Sequence, residues 1–363
     1  MCYTACRYDK VLMYMIAKEK FMYRFNCDYL EGAHPKILER LVATNMEQTV
    51  GYGFDEYTES AKEKIKAACE CPDGEVYLLV GGTQTNSTVL SFLLKDYEGV
   101  ISADTGHIAV HEAGAVELTG HKVITLPAEE GKLCAESVEK YLAGFYADAT
   151  WIHMVHPGAI YISHPTEYGT LYAADELKAL RAVCDRYGLK LFLDGARLGY
   201  ALAAEGTDVT LPVIAKYCDA FYIGGTKVGA MFGEAVVFTK KEDAKHFFTV
   251  IKQHGALLAK GRLLGVQFDT LFTDDLYFEI SRHAIRLAMK IKKAFLEKGY
   301  EMYLDSVSNQ QFFMMSAEKL SSLEERGYVL EDWGLQENGN HLVRIATSWA
   351  TSEAAVDALL AEI

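Results

Sequence analysis

At 363 residues, with 50% hydrophobic and 24% charged residues, the chain has the balance of a folded protein and not of a disordered one. It exceeds a comfortable single core, so a large domain and a smaller one are expected. A formal charge of −14 argues against nucleic acid as a partner, because a phosphate backbone calls for clustered Lys and Arg.

The eight cysteines are scattered, and the close pair Cys69 and Cys71 lacks metal-ligand spacing. No metal site is expected, and reduced thiols in a cytoplasmic protein are the simplest account. The apolar run Val11–Ala17 is closed by Lys18-Glu-Lys20; it is too short to cross a membrane and has no small-residue cleavage site. Residues 1–22 are read as an N-terminal extension, with Met22 as an alternative start.

From about residue 76, short apolar runs alternate with helical ones. Glu75–Val80 reads as a strand and is followed by a helix carrying Val89–Leu94. Strands are expected at Val100–Ser102, Lys122–Leu126 and Trp151–Val155, then a helix over Ala173–Tyr187. Further strands are expected at Leu191–Asp194, Ala220–Ile223 and Ala235–Phe238. This rhythm implies a three-layer α/β/α domain with a mostly parallel sheet covered on both faces. Near residue 260 the texture changes to a long helical pattern over Leu276–Lys298, with Ile280, Ala284, Leu287, Ile291 and Phe295 on one face. Strands at Gln310–Met315 and His341–Ala346 and a closing helix from Ser352 complete a smaller C-terminal α+β domain. The division is set at residue 260, giving domains over 23–260 and 261–363.

Gly81-Gly-Thr-Gln-Thr-Asn86 follows a strand and opens a helix. Glycines let the backbone approach closely, and the free N–H groups of a helix start suit a phosphate, here at Gly82 and Thr83. The run lacks a Gly-Lys-Ser/Thr ending, which excludes a nucleotide P-loop. His107, in Asp104-Thr-Gly-His-Ile-Ala-Val-His111, could lie flat against an aromatic cofactor or move a proton near neutral pH. The polar stretch from His156 to Thr170 comes after an expected buried strand, where α/β loops carry sites; His156, His164, Thr166 and Glu167 are its candidates.

Two apolar runs end abruptly in an ionisable residue. Lys190-Leu-Phe-Leu-Asp194 delivers a carboxylate at a strand's end, and Phe221-Tyr-Ile-Gly-Gly-Thr-Lys227 delivers a lysine. An amine able to form a Schiff base, with an anion to keep a pyridine nitrogen protonated, is what pyridoxal phosphate chemistry needs. Burial and cationic neighbours would lower the pKa of Lys227 so that its neutral amine can attack an aldehyde. Arg197, three residues after Asp194, would be placed to fork a substrate carboxylate, or it forms a structural salt bridge. Arg344 lies inside the apolar run Leu342–Ala346 and needs a partner; the substrate carboxylate would supply one between two domains.

Together Gly82-Thr83, His107, Asp194-Gly-Ala-Arg197, Thr226-Lys227 and Arg344 resemble the fold-type I pyridoxal phosphate enzymes, and among them the threonine aldolase and β-eliminating lyase family. The resemblance covers about residues 23–350. It implies that Lys227 is the Schiff-base lysine, Asp194 the pyridinium partner and His107 the stacking ring. Gly82 and Thr83 would hold the phosphate, Thr166 and Thr226 would join the cofactor site, and Arg197 and Arg344 would bind the substrate carboxylate. Phe25–Pro35 is similar to the family's N-terminal substrate-side segment, which brings in Asp28. Better-studied members carry Ser-Asp-Thr there and Glu-Asn-Thr-His mid-chain, where this chain has Cys27-Asp-Tyr29 and His164-Pro-Thr-Glu167. The implied activity is cleavage of a β-hydroxy-α-amino acid to glycine and an aldehyde, with His107, His164 or a water they hold taking the hydroxyl proton. The alternative is β-elimination, racemisation or transamination on the same cofactor. The resemblance also implies a homodimer or homotetramer with active sites at the interface; no membrane partner is expected.

Overall fold

The computed structural model describes residues 22–363. The N-terminal extension, apart from Met22, lies outside the described residues. In chain order the strands are β1 (Tyr23–Arg24), β2 (Glu75–Leu79), β3 (Glu98–Ala103), β4 (Val123–Leu126), β5 (His156–Ser163) and β6 (Lys190–Asp194). They continue with β7 (Ala220–Gly224), β8 (Glu234–Phe238), β9 (Gln310–Met315), β10 (Tyr328–Val329), β11 (Glu331–Leu335) and β12 (His341–Ala346).

Strands β2 to β8 form one seven-stranded sheet in the order β2-β8-β7-β6-β5-β3-β4. From β7 to β4 all neighbours are parallel, and β8 alone runs against both of its neighbours. The central strands read as continuous apolar runs because both faces are covered. Ile160, Ile162, Leu191, Leu193, Phe221 and Ile223 pack into one buried cluster. Their alternating neighbours Ala159, Tyr161, Phe192, Ala220 and Tyr222 pack into another on the opposite face. This is the expected three-layer arrangement. The helix Ala174–Tyr187 covers one face with Leu177, Leu180, Val183 and Cys184, and ends where Gly188 takes φ 72°.

A separate antiparallel sheet, β11-β12-β9, builds the smaller C-terminal layer. The helix Leu276–Glu297 serves both parts: Tyr277, Ile280 and Ala284 enter the large core, while Leu287, Ile291 and Phe295 enter the small one with Phe313 and Val343. The chain's beginning joins the small layer as well. Strand β1 pairs in parallel with β10, and Phe25 is buried beside Phe295. Residues 25–28 are thereby laid across to the large sheet.

One strand lies elsewhere than expected. Trp151–His153 is a single 3-10 turn, with Ile152 64% exposed, and the strand occupies His156–Ser163. The proline at position 157 argued for a turn, but it sits at the second position of β5, where the register with β3 shifts and the ladder tolerates a missing N–H. His156 therefore lies at the start of β5, against Trp151, Phe145 and Tyr97, at the opposite end of the strands from the C-terminal ends that carry the site.

Candidate active site

The C-terminal ends of the parallel strands converge on one cavity, as expected for an open α/β sheet. Gly82, His107, Thr166, Asp194, Arg197 and Lys227 all line it. They come from five segments of the chain, so the fold brings together residues that sequence reading could only propose one by one.

Asp194 ends β6 inside a ring of donors. Tyr161 and Asn86 donate to Oδ2 at 2.6 and 2.8 Å, and the Tyr222 hydroxyl and the Ala196 amide donate to Oδ1 at 2.5 and 3.0 Å. Burial disfavours the charged carboxylate, yet the His107 ring and the three side-chain donors outweigh it and hold the carboxyl below its ordinary pKa. The turn that follows is possible only with glycine, since a Cβ on Gly195 would sit 1.9 Å from the Tyr222 carbonyl oxygen.

Lys227 lies three residues beyond the end of β7. Burial and the positive charge of Arg197 lower its pKa, against Asp28, Asp194 and Glu234, which raise it. Its carbonyl accepts the Tyr200 hydroxyl at 2.5 Å, which pins the backbone, while its amine has no hydrogen-bond partner among the described residues. Glu234, at the start of the reversed strand β8, pairs across to Gly224 and to Leu79. Burial pushes its carboxyl up, opposed by the Thr226 hydroxyl and the Lys227 amine.

His107 is fixed from both ends. Its Nδ1 lies 2.7 Å from the buried Glu112, and its backbone N–H donates to Glu167 at 2.9 Å. Asn86 donates to Glu112 at 2.7 Å as well as to Asp194, so one amide joins the histidine's carboxylate to the strand-end carboxylate. Burial raises the Glu167 carboxyl, with Ser163 donating to it at 2.7 Å as an opposing influence.

The arginines are held differently. Arg197 donates from Nε and Nη2 to Asp28 at 2.7 and 3.0 Å, and Asn309 donates to the same carboxylate at 2.8 Å. Asp28 is fully buried; burial alone would raise its carboxyl, but Arg197 and Lys227 outweigh that and hold it at about 2. Arg344 does not stand waiting for a ligand as its sequence context implied. Its Nη1 donates to Gln310 at 3.0 Å, and its Nη2 donates to the Asn26 carbonyl at 2.8 Å and to Glu331.

Other expected residues are not brought to the cavity. His164 is fully buried, accepts the Tyr172 amide on Nδ1 at 3.3 Å and packs on that ring, away from the cavity lining. Thr226 spends its hydroxyl on the Gly233 amide at 3.0 Å, closing the lysine loop. Thr83 is exposed on the first helical turn. Sequence reading missed Tyr161, Tyr222, Asn86, Glu112, Glu234 and Glu331. A signal existed for two of them: Tyr161 and Tyr222 each stand two residues before the end of a strand flanking β6, on the same face.

Pyridoxal phosphate fits these residues. The helix Gly82–Leu93 starts at Gly81, which offers no side chain to its first-turn amides, so they are open to a phosphate. A Cβ on Gly82 would come within 3.2 Å of the Tyr222 hydroxyl and narrow this cradle. A partly buried amine, over the Tyr29 ring and with no hydrogen-bond partner among the described residues, faces the same cavity as a carboxylate held ionised.

The model of the β-eliminating lyase family matches residues 25–326. The chain belongs to that family. It is 32% identical over 343 residues to the low specificity L-threonine aldolase of Pseudomonas sp. (strain NCIMB 10558), covering 94% of this chain and 96% of the relative. A solved structure of Leishmania major threonine aldolase superposes with a TM-score of 0.90 at 40% identity, over 93% of this chain and 98% of the other. Thermus thermophilus aspartate aminotransferase, at 16% identity and a TM-score of 0.70, shares the fold, covering 100% of this chain and 95% of the other. As a family member the chain is a pyridoxal phosphate-dependent lyase.

Proposed function

We propose that the enzyme cleaves the Cα–Cβ bond of a β-hydroxy-α-amino acid, L-threonine or L-allo-threonine, to give glycine and an aldehyde. The observation that carries this reading is the free Lys227 amine in one cavity with the four-donor Asp194, in a chain that matches threonine aldolases over nearly its whole length.

When bound, pyridoxal phosphate supplies an aldehyde carbon for amines and an electron sink for bond cleavage at Cα. Lys227 would hold it through the amine, Asp194 would keep positive charge on its ring nitrogen, and the Gly82–Thr83 amides would take its phosphate. Thr166 lines the same cavity and belongs to this set. Arg197 presents Nη1 to the substrate carboxylate, its other nitrogens being spent on Asp28. Arg344 is the second carboxylate ligand, set beside Asn26, two residues from Asp28. Together they would fix the amino acid's carboxylate and so select which bond at Cα the cofactor's electron sink weakens. His107, backed by Glu112 on Nδ1, offers its other ring nitrogen to the β-hydroxyl proton.

The same reading includes a homodimer or homotetramer in the cytoplasm, with active sites at the interface. Leu38, Val42 and Met46 are exposed at four-residue spacing along and just beyond the helix Pro35–Ala43, and Val50 and Phe54 continue this apolar surface. Among the described residues no helix is long and apolar enough to cross a membrane. Division into domains 23–260 and 261–363 also belongs here, with β1 contributed to the smaller one.

Product analysis after incubation with L-threonine, L-allo-threonine and L-serine tests the proposal. Glycine with acetaldehyde from either threonine is the expected result. A 2-oxo acid with ammonia would move the assignment to elimination, and a requirement for an added 2-oxo acid would move it to transamination.

A further inference from the structure

Arg344, buried, and Arg197, partly buried and lining the cavity, are both tied to the same N-terminal segment, at Asn26 and at Asp28, yet the carboxylates that hold them differ in kind. Asp28 is fully buried, engages two nitrogens of Arg197 and is itself fixed by Asn309. Glu331 is 40% exposed at its side chain, engages Arg344 through Nη2 alone, and has no other hydrogen-bond partner among the described residues. It stands directly opposite Arg344 in the antiparallel pairing of β11 with β12, and β11 is an edge strand. Arg344 itself is anchored independently, by Gln310, by the Asn26 carbonyl and by the Trp333 ring at 5.5 Å. Release of Glu331 therefore leaves the guanidinium in place, whereas release of Asp28 would leave a fully buried carboxylate uncompensated.

We propose that Glu331 is a built-in stand-in for the substrate carboxylate: it occupies Arg344 while the site is empty and swings to solvent when an amino acid enters. The charges favour the exchange. Arg197 repels Arg344, and an anion lying between the two guanidinium groups relieves that repulsion, which Glu331, attached from the outer strand, does less well. A bidentate carboxylate is also a stronger partner than one held by a single nitrogen. Every substrate must first displace the latch, so its apparent affinity is reduced by the fraction of molecules in which Arg344 is free.

The inference rests on reading Arg344 as a ligand of the substrate carboxylate, and the test separates the two. Steady-state kinetics on L-threonine are measured for the holoenzyme and for Glu331→Gln, Glu331→Ala, Arg344→Gln and the double variant Glu331→Gln/Arg344→Gln, with propionate as a competitive inhibitor. Glu331→Gln and Glu331→Ala are expected to lower KM by about three- to tenfold with kcat unchanged. The inhibition constant for propionate should fall by the same factor, and the gain should vanish in the double variant. If Arg344→Gln leaves KM unchanged, the carboxylate reading fails and the latch with it. If Arg344→Gln raises KM while neither Glu331 variant lowers it, the latch alone is overturned.

Discussion

Asp28 grips Arg197 through Nε and Nη2, across 169 residues of sequence, and leaves only Nη1 of the guanidinium without a protein partner among the described residues. The N-terminal segment, tied to the small layer by β1 and Phe25, thus reaches over the large sheet and aims a residue of the strand-end turn. Asp28→Asn keeps the shape and removes the charge. It should cost about 3–5 kcal/mol of stability, because a buried cation loses its partner. It should also raise KM for L-threonine at least tenfold. Denaturant melts and steady-state kinetics check both; a variant as stable as the parent would mean that the pair is not buried as described.

Tyr222, with His107, Tyr161 and Asn86, holds Asp194 ionised. Asp194→Ala should abolish turnover and let the cofactor be lost on dialysis. Tyr222→Phe should act more mildly: one hydrogen bond to a charged group is removed, about 1.5–3 kcal/mol, and the carboxyl becomes easier to protonate. The expected outcome is weaker retention of the cofactor, with the acidic side of its visible-absorbance titration moved to higher pH. No movement of that titration would show that the tyrosine does not govern Asp194.

The polar shell around Asp194 also marks where sequence reading stops. Asp194 and Lys227 were legible because each ends a short apolar run, a pattern that few structural charges share. Tyr161 and Tyr222 lie inside such runs and read there as core aromatics. Asn86 and Glu112 acquire meaning only when a helix and a loop fold against β6, and nothing in local periodicity states that pairing. Strand direction was likewise hidden: β8 has the same apolar texture as its parallel neighbours, and only its pairing shows it reversed. The reading of His164 as a site residue failed to anticipate that the loop after β5 buries this ring on Tyr172 and turns Thr166 and Glu167 to the cavity instead.

Glu112 should matter through His107. Glu112→Gln leaves the size of the side chain but weakens its hold on Nδ1, so kcat should fall on the order of 10- to 100-fold with KM for L-threonine little changed. A change confined to KM would assign Glu112 to binding and not to proton transfer.

His164 should make the fold acid-sensitive. Burial lowers its pKa from 6.5 to about 4. The unfolded chain takes up a proton below about pH 6.5 that the folded one refuses. Stability from this residue is therefore complete above pH 6.5 and is lost as the pH falls to about 4, on the order of 3 kcal/mol in all. Unfolding midpoints at pH 7 and pH 5 should differ less in His164→Asn than in the parent. Equal losses in both would contradict the assignment.

Lys227 is the residue on which the site stands, and chemical reduction tests it most directly. Borohydride converts a carbon–nitrogen double bond between an amine and the cofactor aldehyde into a stable single bond, and peptide mapping then locates it. The cofactor's mass should appear on the peptide that contains Lys227, and the label should be absent from Lys227→Ala. Label on another lysine, or none on the holoenzyme, would contradict the site described here.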